Sequence, residues 1–154
     1  MKVRAFMLAL AICVAGATVS LAQDLNIGTW KLNEAKSQIP AGSIKNTTVV
    51  YKAQGDNMKV ITDGFGGDGK PMHTEWTGKL DGKDYPLTGD PRANARSIKK
   101  IDDHHMALAN KMNGKVVTTG SIVIAKDGKS RTLSASANDS SGKKLESLAY
   151  YDKQ

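Results

Sequence analysis

The chain has 154 residues, a formal net charge of +7 and 40% hydrophobic residues, and only 5% of it is aromatic. Its one cysteine, Cys13, lies in an N-terminal stretch that reads as an address, so the remainder has neither a disulfide framework nor thiol chemistry. A length of this order suits one domain that buries enough surface to fold without staples.

Lys2 and Arg4 precede an uncharged run from Ala5 to Ala17, and Ser20-Leu21-Ala22 puts small residues where a leader is cut. Residues 1–22 therefore read as a secretory signal peptide, and 23–154 as a single exported domain, periplasmic or extracellular. As a retained anchor the run is short of the roughly 20 residues that cross a bilayer. Ile12 before Cys13 argues against a lipoprotein site. Without Lys2 and Arg4, twenty basic residues face 15 acidic ones, a net of +5. That charge favours an anionic envelope surface or an acidic ligand. Nucleic acid does not suit an exported protein, and processing leaves no transmembrane span.

Asn26 to Asn33, NIGTWKLN, forms the first plausible strand, with Trp30 as its one large apolar residue. Glu34 to Lys45 has no clean period. A short helical turn can start at Ala35-Lys36-Ser37 and end at Pro40-Ala41-Gly42, leaving a connection long enough to cover one mouth of a barrel. Beyond it, turn clusters such as Asp81-Gly82-Lys83, Asn113-Gly114-Lys115 and Asp127-Gly128-Lys129 recur, mostly 11 to 14 residues apart. This spacing leaves room for strands but not for long helices.

Between turns the residues alternate. Met72, Thr74, Trp76 and Leu80 share one face, Leu133, Ala135 and Ala137 another, and Leu148 and Tyr150 a third. Strands are expected near 26–33, 46–54, 57–63, 71–80, 83–88, 94–101, 104–112, 115–125, 130–138 and 143–152. Hairpin after hairpin makes a meander of about eight to ten strands, and a meander this long removes its edges by closing into a barrel.

The motifs that suggest chemistry do not hold up. Gly64 to Gly69 fits G-x-G-x-x-G, but Pro71 and an alternating strand follow where a phosphate site needs a helix. Asp63 and Asp68 are too few and wrongly spaced for a calcium loop. His104 and His105 are adjacent, so on a strand they point to opposite faces, and His73 completes no metal-ligand spacing. No strand-to-helix serine elbow appears. The expectation is a protein that is not an enzyme and has no metal and no cofactor.

Polar residues on core-side positions are more informative. Arg131 shares parity with Leu133, Arg96 with Ile98, His104 with Met106, and Glu146 with Leu148. An inward cation could meet the acid group of a ligand, since a buried charge needs a partner. The plainer account puts Arg131 and Glu146 near strand ends with their charges reaching water. Small residues such as Ala135, Ala137, Thr118 and Gly120 imply either a cavity or a collapsed barrel.

Gly28-Thr29-Trp30-Lys31-Leu32 resembles the first-strand signature of the calycins, the lipocalins and fatty-acid-binding proteins. The Lys126–Lys129 hairpin and the closing Tyr150 to Gln154 strand are similar to the fatty-acid-binding branch. The mature chain also resembles small exported bacterial proteins of uncharacterised function. The resemblance implies an up-and-down barrel with Trp30 as the plug of its closed end. It brings no activity, and the segment after the first strand is shorter than the helical lid of fatty-acid-binding proteins.

The sequence therefore points to a monomeric, all-β, calycin-like barrel that binds a small hydrophobic or amphipathic molecule, an anionic one included. Arg96, Arg131 and His104 are the candidates for the head group, and Trp76, Tyr51 and Tyr150 for the walls. A solid-core barrel that binds or inhibits an envelope or extracellular protein is the alternative.

Overall fold

Antiparallel strands, most of them joined by tight turns, account for most of the described residues. The computed structural model describes residues 24–139 and 141–154; the leader expected over 1–22 lies outside the described residues. The strands are β1 (Gly28–Leu32), β2 (Lys45–Gln54), β3 (Asn57–Phe65), β4 (Pro71–Gly78) and β5 (Asp81–Thr88), then β6 (Ala95–Lys100), β7 (His105–Met112), β8 (Lys115–Ile124), β9 (Ser130–Asn138) and β10 (Lys144–Lys153). Each pairs with its neighbours in sequence, and β1 lies between β10 and β2, so the sheet closes into an up-and-down barrel. This is the architecture that both the turn rhythm and the calycin resemblance imply. The turns have the expected chemistry: Asn113 and Gly114 both take positive φ, 50° and 80°, as a two-residue hairpin turn requires.

Because the strands alternate in direction, their connections alternate between two ends. One end is shut by Trp30, which has no exposed surface. Its indole Nε1 donates to the Asn26 carbonyl at 2.8 Å. Lys153 lies over the ring at 5.0 Å and donates to the Leu25 carbonyl at 2.8 Å. These bonds draw the segment before β1 across the barrel end. Asp24 fixes that segment further by accepting from the Asn26 backbone N–H and side-chain amide and from Lys100 Nζ. Gly28 explains why the signature begins with glycine: its φ is +133°, and a Cβ there would sit 2.7 Å from Lys153 Cε.

The opposite end is covered by residues 33–44, which begin with a single 3-10 turn at Glu34–Lys36. The Asn33 side chain caps this turn, and Ser37 is already extended. Gln38 then pairs with Leu148 through two backbone hydrogen bonds, and Ser37 Oγ accepts from the Tyr150 N–H.

The facing of β10 differs from the expectation. Ala149 and Tyr151 are buried inside, whereas Leu148, Tyr150 and Glu146 take the outer parity. Apolar residues occupy both parities of Leu-Glu-Ser-Leu-Ala-Tyr-Tyr, so alternation alone does not choose. Pairing with β9 does, by setting Tyr151 opposite the inward Arg131.

The β4–β5 seam is thin, with only Glu75↔Thr88 and Trp76↔Leu87 in register. Side chains bridge it. Trp76 meets the edge of Tyr85 at 6.0 Å, and its Nε1 donates to the Arg96 carbonyl on β6 at 2.9 Å.

Trp30→Phe keeps a ring in the plug but orphans the Asn26 carbonyl. It is expected to cost about 1–3 kcal/mol, read as a lower urea midpoint with an unchanged slope. The Asp24 carboxyl is pushed up by burial, but the Asn26 donors and Lys100 outweigh this and hold it below the usual carboxylate range. A carboxyl lowered on folding stabilises above its unfolded pKa of about 3.9, and this contribution is lost as pH falls through the lower folded value. Asp24→Asn should therefore melt below the parent at pH 6, with the difference closing as both are titrated toward about pH 2.

Candidate functional site

Below the 33–44 cover the barrel is hollow. A cavity of about 110 Å³ lies among the inward residues of β2 to β4 and β6 to β10, with Ile39, Ser43 and Ile44 of the cover above it. Gly67, in the β3–β4 loop, helps seal the rim, because a Cβ there would lie 2.1 Å from the Gly42 carbonyl oxygen of the cover. The small inward residues read from the sequence, Thr118, Ala135 and Ala137, do line this space. Val49, Val60, Ile122 and Leu133 give it apolar wall, while Thr62, Thr74, Asn110 and Ser147 give it polar wall.

Arg131 forms the floor. It is 3% exposed, and its guanidinium carbon lies 4.7 Å from the Trp30 ring, 4.9 Å from Tyr51 and 5.1 Å from Tyr151. Three π faces are a favourable surrounding for a cation. They supply no hydrogen-bond acceptor in the plane of the guanidinium, however, and Nε and Nη1 are buried without a partner among the described residues. The expectation that Arg131 reaches water from a strand end is corrected here: β9 carries it inward against the plug. Glu146, treated the same way in the sequence, does reach the surface, where it pairs with Lys144.

Arg96 is the second cation. Its Nε donates to Asn110 Oδ1 at 2.8 Å. Burial lowers its pKa, while the nearby Tyr51 and Asp90 act the other way. It remains a cation at neutral pH, as arginine does in proteins. Arg92 also lines the cavity, and Asp90 is the one carboxylate that does, so three positive charges face one negative.

The field outside has the same sign. With one flanking residue on each side, the connections at the covered end (32–45, 65–71, 88–95, 112–115, 138–144) hold seven basic and four acidic residues. The plugged end (24–28, 54–57, 78–81, 100–105, 124–130, 153–154) holds five and six. The positive excess therefore lies at the covered end of the barrel.

Of the six ligand-contact candidates, Arg96, Arg131 and Tyr51 are brought together in the cavity wall. The other three stand elsewhere. Trp76 is 1% exposed and packs in the core, where it anchors the backbone of Arg96. Tyr150 takes the outer parity of β10. His104 sits in the β6–β7 connection at the plugged end, with Nδ1 3.1 Å from the Ile124 carbonyl oxygen. His73 pairs with Asp63 on the exterior at 2.6 Å, and the Asp63 and Glu75 carboxylates raise its pKa against a smaller effect of desolvation. Among the described residues no cluster of metal-ligating side chains forms. The Gly64–Gly69 stretch is a hairpin loop, closed by the Gly66 N–H on the Lys70 carbonyl.

Sequence reasoning missed Asn110, Thr62 and Thr74 as cavity residues. The signal was present for each, a polar side chain in phase with apolar neighbours along one strand. Asp90 and Arg92 gave no such signal, because the β5–β6 loop has no period.

No family model matches the chain, and no curated protein matches it. Solved structures that are similar to it include EF1p2_mFAP2b bound to DFHBI, at 11% identity over 84% of this chain and 94% of that one, with a TM-score of 0.49. A redesigned β-barrel, mFAP1, bound to DFHBI, is 16% identical over 84% of this chain and 95% of that one, with a TM-score of 0.40. Lobster apocrustacyanin A1 is 14% identical over 86% of this chain and 63% of that one, with a TM-score of 0.39. At identities this low, a ligand does not carry over from one barrel to another.

A buried cation without a hydrogen-bonding partner costs stability that a hydrophobe of similar length would not. Arg131→Met is therefore expected to unfold at equal or higher urea concentration than the parent. A loss greater than about 2 kcal/mol would instead make the cation–π contacts of Arg131 a structural requirement.

Proposed function

We propose that the chain is an exported, non-catalytic binding protein that holds a small amphipathic molecule inside its barrel, with the acidic group of that molecule met by Arg131 and Arg96. The observation that carries this reading is the pairing of a hollow interior with a guanidinium buried at its floor and lacking an acceptor from the described residues. A barrel that served only as a scaffold for its outer surface would gain by filling both. Apolar wall supplies affinity by burial, and the arginines supply orientation. Export rests on the leader pattern of residues 1–22, and the positive covered end suits an anionic envelope environment.

The test is native mass spectrometry of the exported protein, purified without detergent, followed by organic extraction. The expected result is a mass above that of the 23–154 polypeptide, with an acidic compound in the extract. A bare polypeptide that no small acid or neutral apolar compound stabilises against heat would overturn the reading in favour of a surface-acting module.

A further inference from the structure

The cavity and its floor also specify which amphipathic anion fits. Resting on the binding role proposed above, we infer that the site takes a compact carboxylate with a body about the size of one six-membered ring, bound head-down on Arg131, and that it excludes long-chain fatty acids.

Size is the first argument. The cavity measures about 110 Å³. An apolar protein cavity of about 150 Å³ holds one benzene, so a single six-membered ring is the upper bound on the body that this smaller space admits. A long alkyl tail has no room below the cover, whose Ile39, Ser43 and Ile44 lie over the cavity and whose Gly42 is in backbone contact with the Gly67 loop.

Wall chemistry is the second. Thr62 and Thr74 are 3% and 2% exposed, on adjacent strands and directly paired in register. Asn110 stands on β7 with its Oδ1 accepting from Arg96. These groups form a polar band in the wall that an alkyl tail would desolvate without repayment. A small body with polar substituents can satisfy it.

Direction is the third. Arg131 is at the plugged end and the cover is at the other, so the acid group goes in first. Planar guanidinium and planar carboxylate match as a two-bond pair, and each two-nitrogen edge of the Arg131 guanidinium includes one of its unpartnered atoms, Nε on one edge and Nη1 on the other. The aromatic rings of Trp30, Tyr51 and Tyr151 hold the guanidinium in place before the ligand arrives, which lowers the entropic cost of the pairing.

The experiment is calorimetric titration of the 23–154 protein, stripped of any bound compound, with three probes: 4-hydroxybenzoate, its neutral amide 4-hydroxybenzamide, and dodecanoate. Hydroxybenzoate is expected to bind about tenfold or more tighter than either of the others, the ratio that one charge-assisted pair supplies. In Arg131→Met the preference for the acid over the amide should fall to the small remainder that Arg96 supplies. Arg131→Lys keeps the charge without the fork and should retain only part of the preference, and it serves if the Met variant does not fold. Dodecanoate binding as tightly as hydroxybenzoate would overturn the compact-ligand inference while leaving a binding barrel. Equal affinity for acid and amide in the parent, or a preference undiminished in both Arg131 variants, would overturn the assignment to Arg131. Binding of none of the three would also overturn the inference, and the native mass then decides separately whether the barrel carries another ligand.

Discussion

The structure depends on what surrounds the Trp30 indole. Lys153 and Arg131 both lie within about 5 Å of one ring, and the indole N–H holds the chain segment that crosses the barrel end. β1 is only five residues long, yet it must pair with β2 on one side and β10 on the other for the sheet to close. A strand this short contributes few ladder bonds, so side-chain packing must hold it. Trp30 does this from inside the barrel, and Lys153 does it from the partner strand. The same ring then serves as one wall of the box around Arg131. Barrel closure and the floor of the cavity thus share one side chain, Trp30, which sets the Arg131 cation against the plug.

That coupling bears on why Arg131 is tolerated. Cation–π contact with three rings offsets part of the desolvation of a guanidinium, but it leaves the in-plane N–H groups unsatisfied. Arg96 shows the contrasting arrangement. It sits at the wall, bonds a neutral amide, and has the Asp90 carboxylate near enough to act on its charge. Two arginines in one cavity thus have different environments, one with an acceptor supplied and one without. Local conflicts of this kind, a polar requirement left open inside a packed element, are where a fold gives up stability for a site.

Much of this was legible in the sequence, because turn chemistry and period-two alternation are local. The Asn113-Gly114 turn and the alternation of Thr74 and Trp76 lead directly to β7, β8 and β4. The Gly28-x-Trp30 pattern leads to the plug. Facing was legible only where one parity is clearly apolar. β9 reads correctly because Leu133, Ala135 and Ala137 face one way, and Arg131 follows them. β10 does not, because Leu148 and Tyr150 compete with Leu145, Ala149 and Tyr151, and the register with β9 decides. His104 failed for a different reason. Its parity matches Met106, but it stands before β7 begins, at the plugged end, and parity says nothing about height along the barrel. The facing of Arg131 was legible from its parity, but not whether its charge stays inside, since a cation near a strand end snorkels or remains buried according to what closes that end.

The two ends of the barrel also differ in charge and in how they are held. At the plugged end, acidic and basic residues nearly balance, and Asp24, Lys100 and Lys153 are spent on holding the N-terminal segment in place. At the covered end the excess is positive, and the cover itself is attached through a few backbone bonds of Asn33 and Gln38 to β10. A segment held this way, with no buried residue in its 3-10 turn, opens at lower cost than the barrel wall does. In the binding role proposed above, a ligand would enter at the covered end, where the rim is positive, pass Arg92 and Asp90, and end against Arg131 beside the plug. Such a path would attract an anion through a field first and discriminate it by contact afterwards, which is the order in which a binding site works.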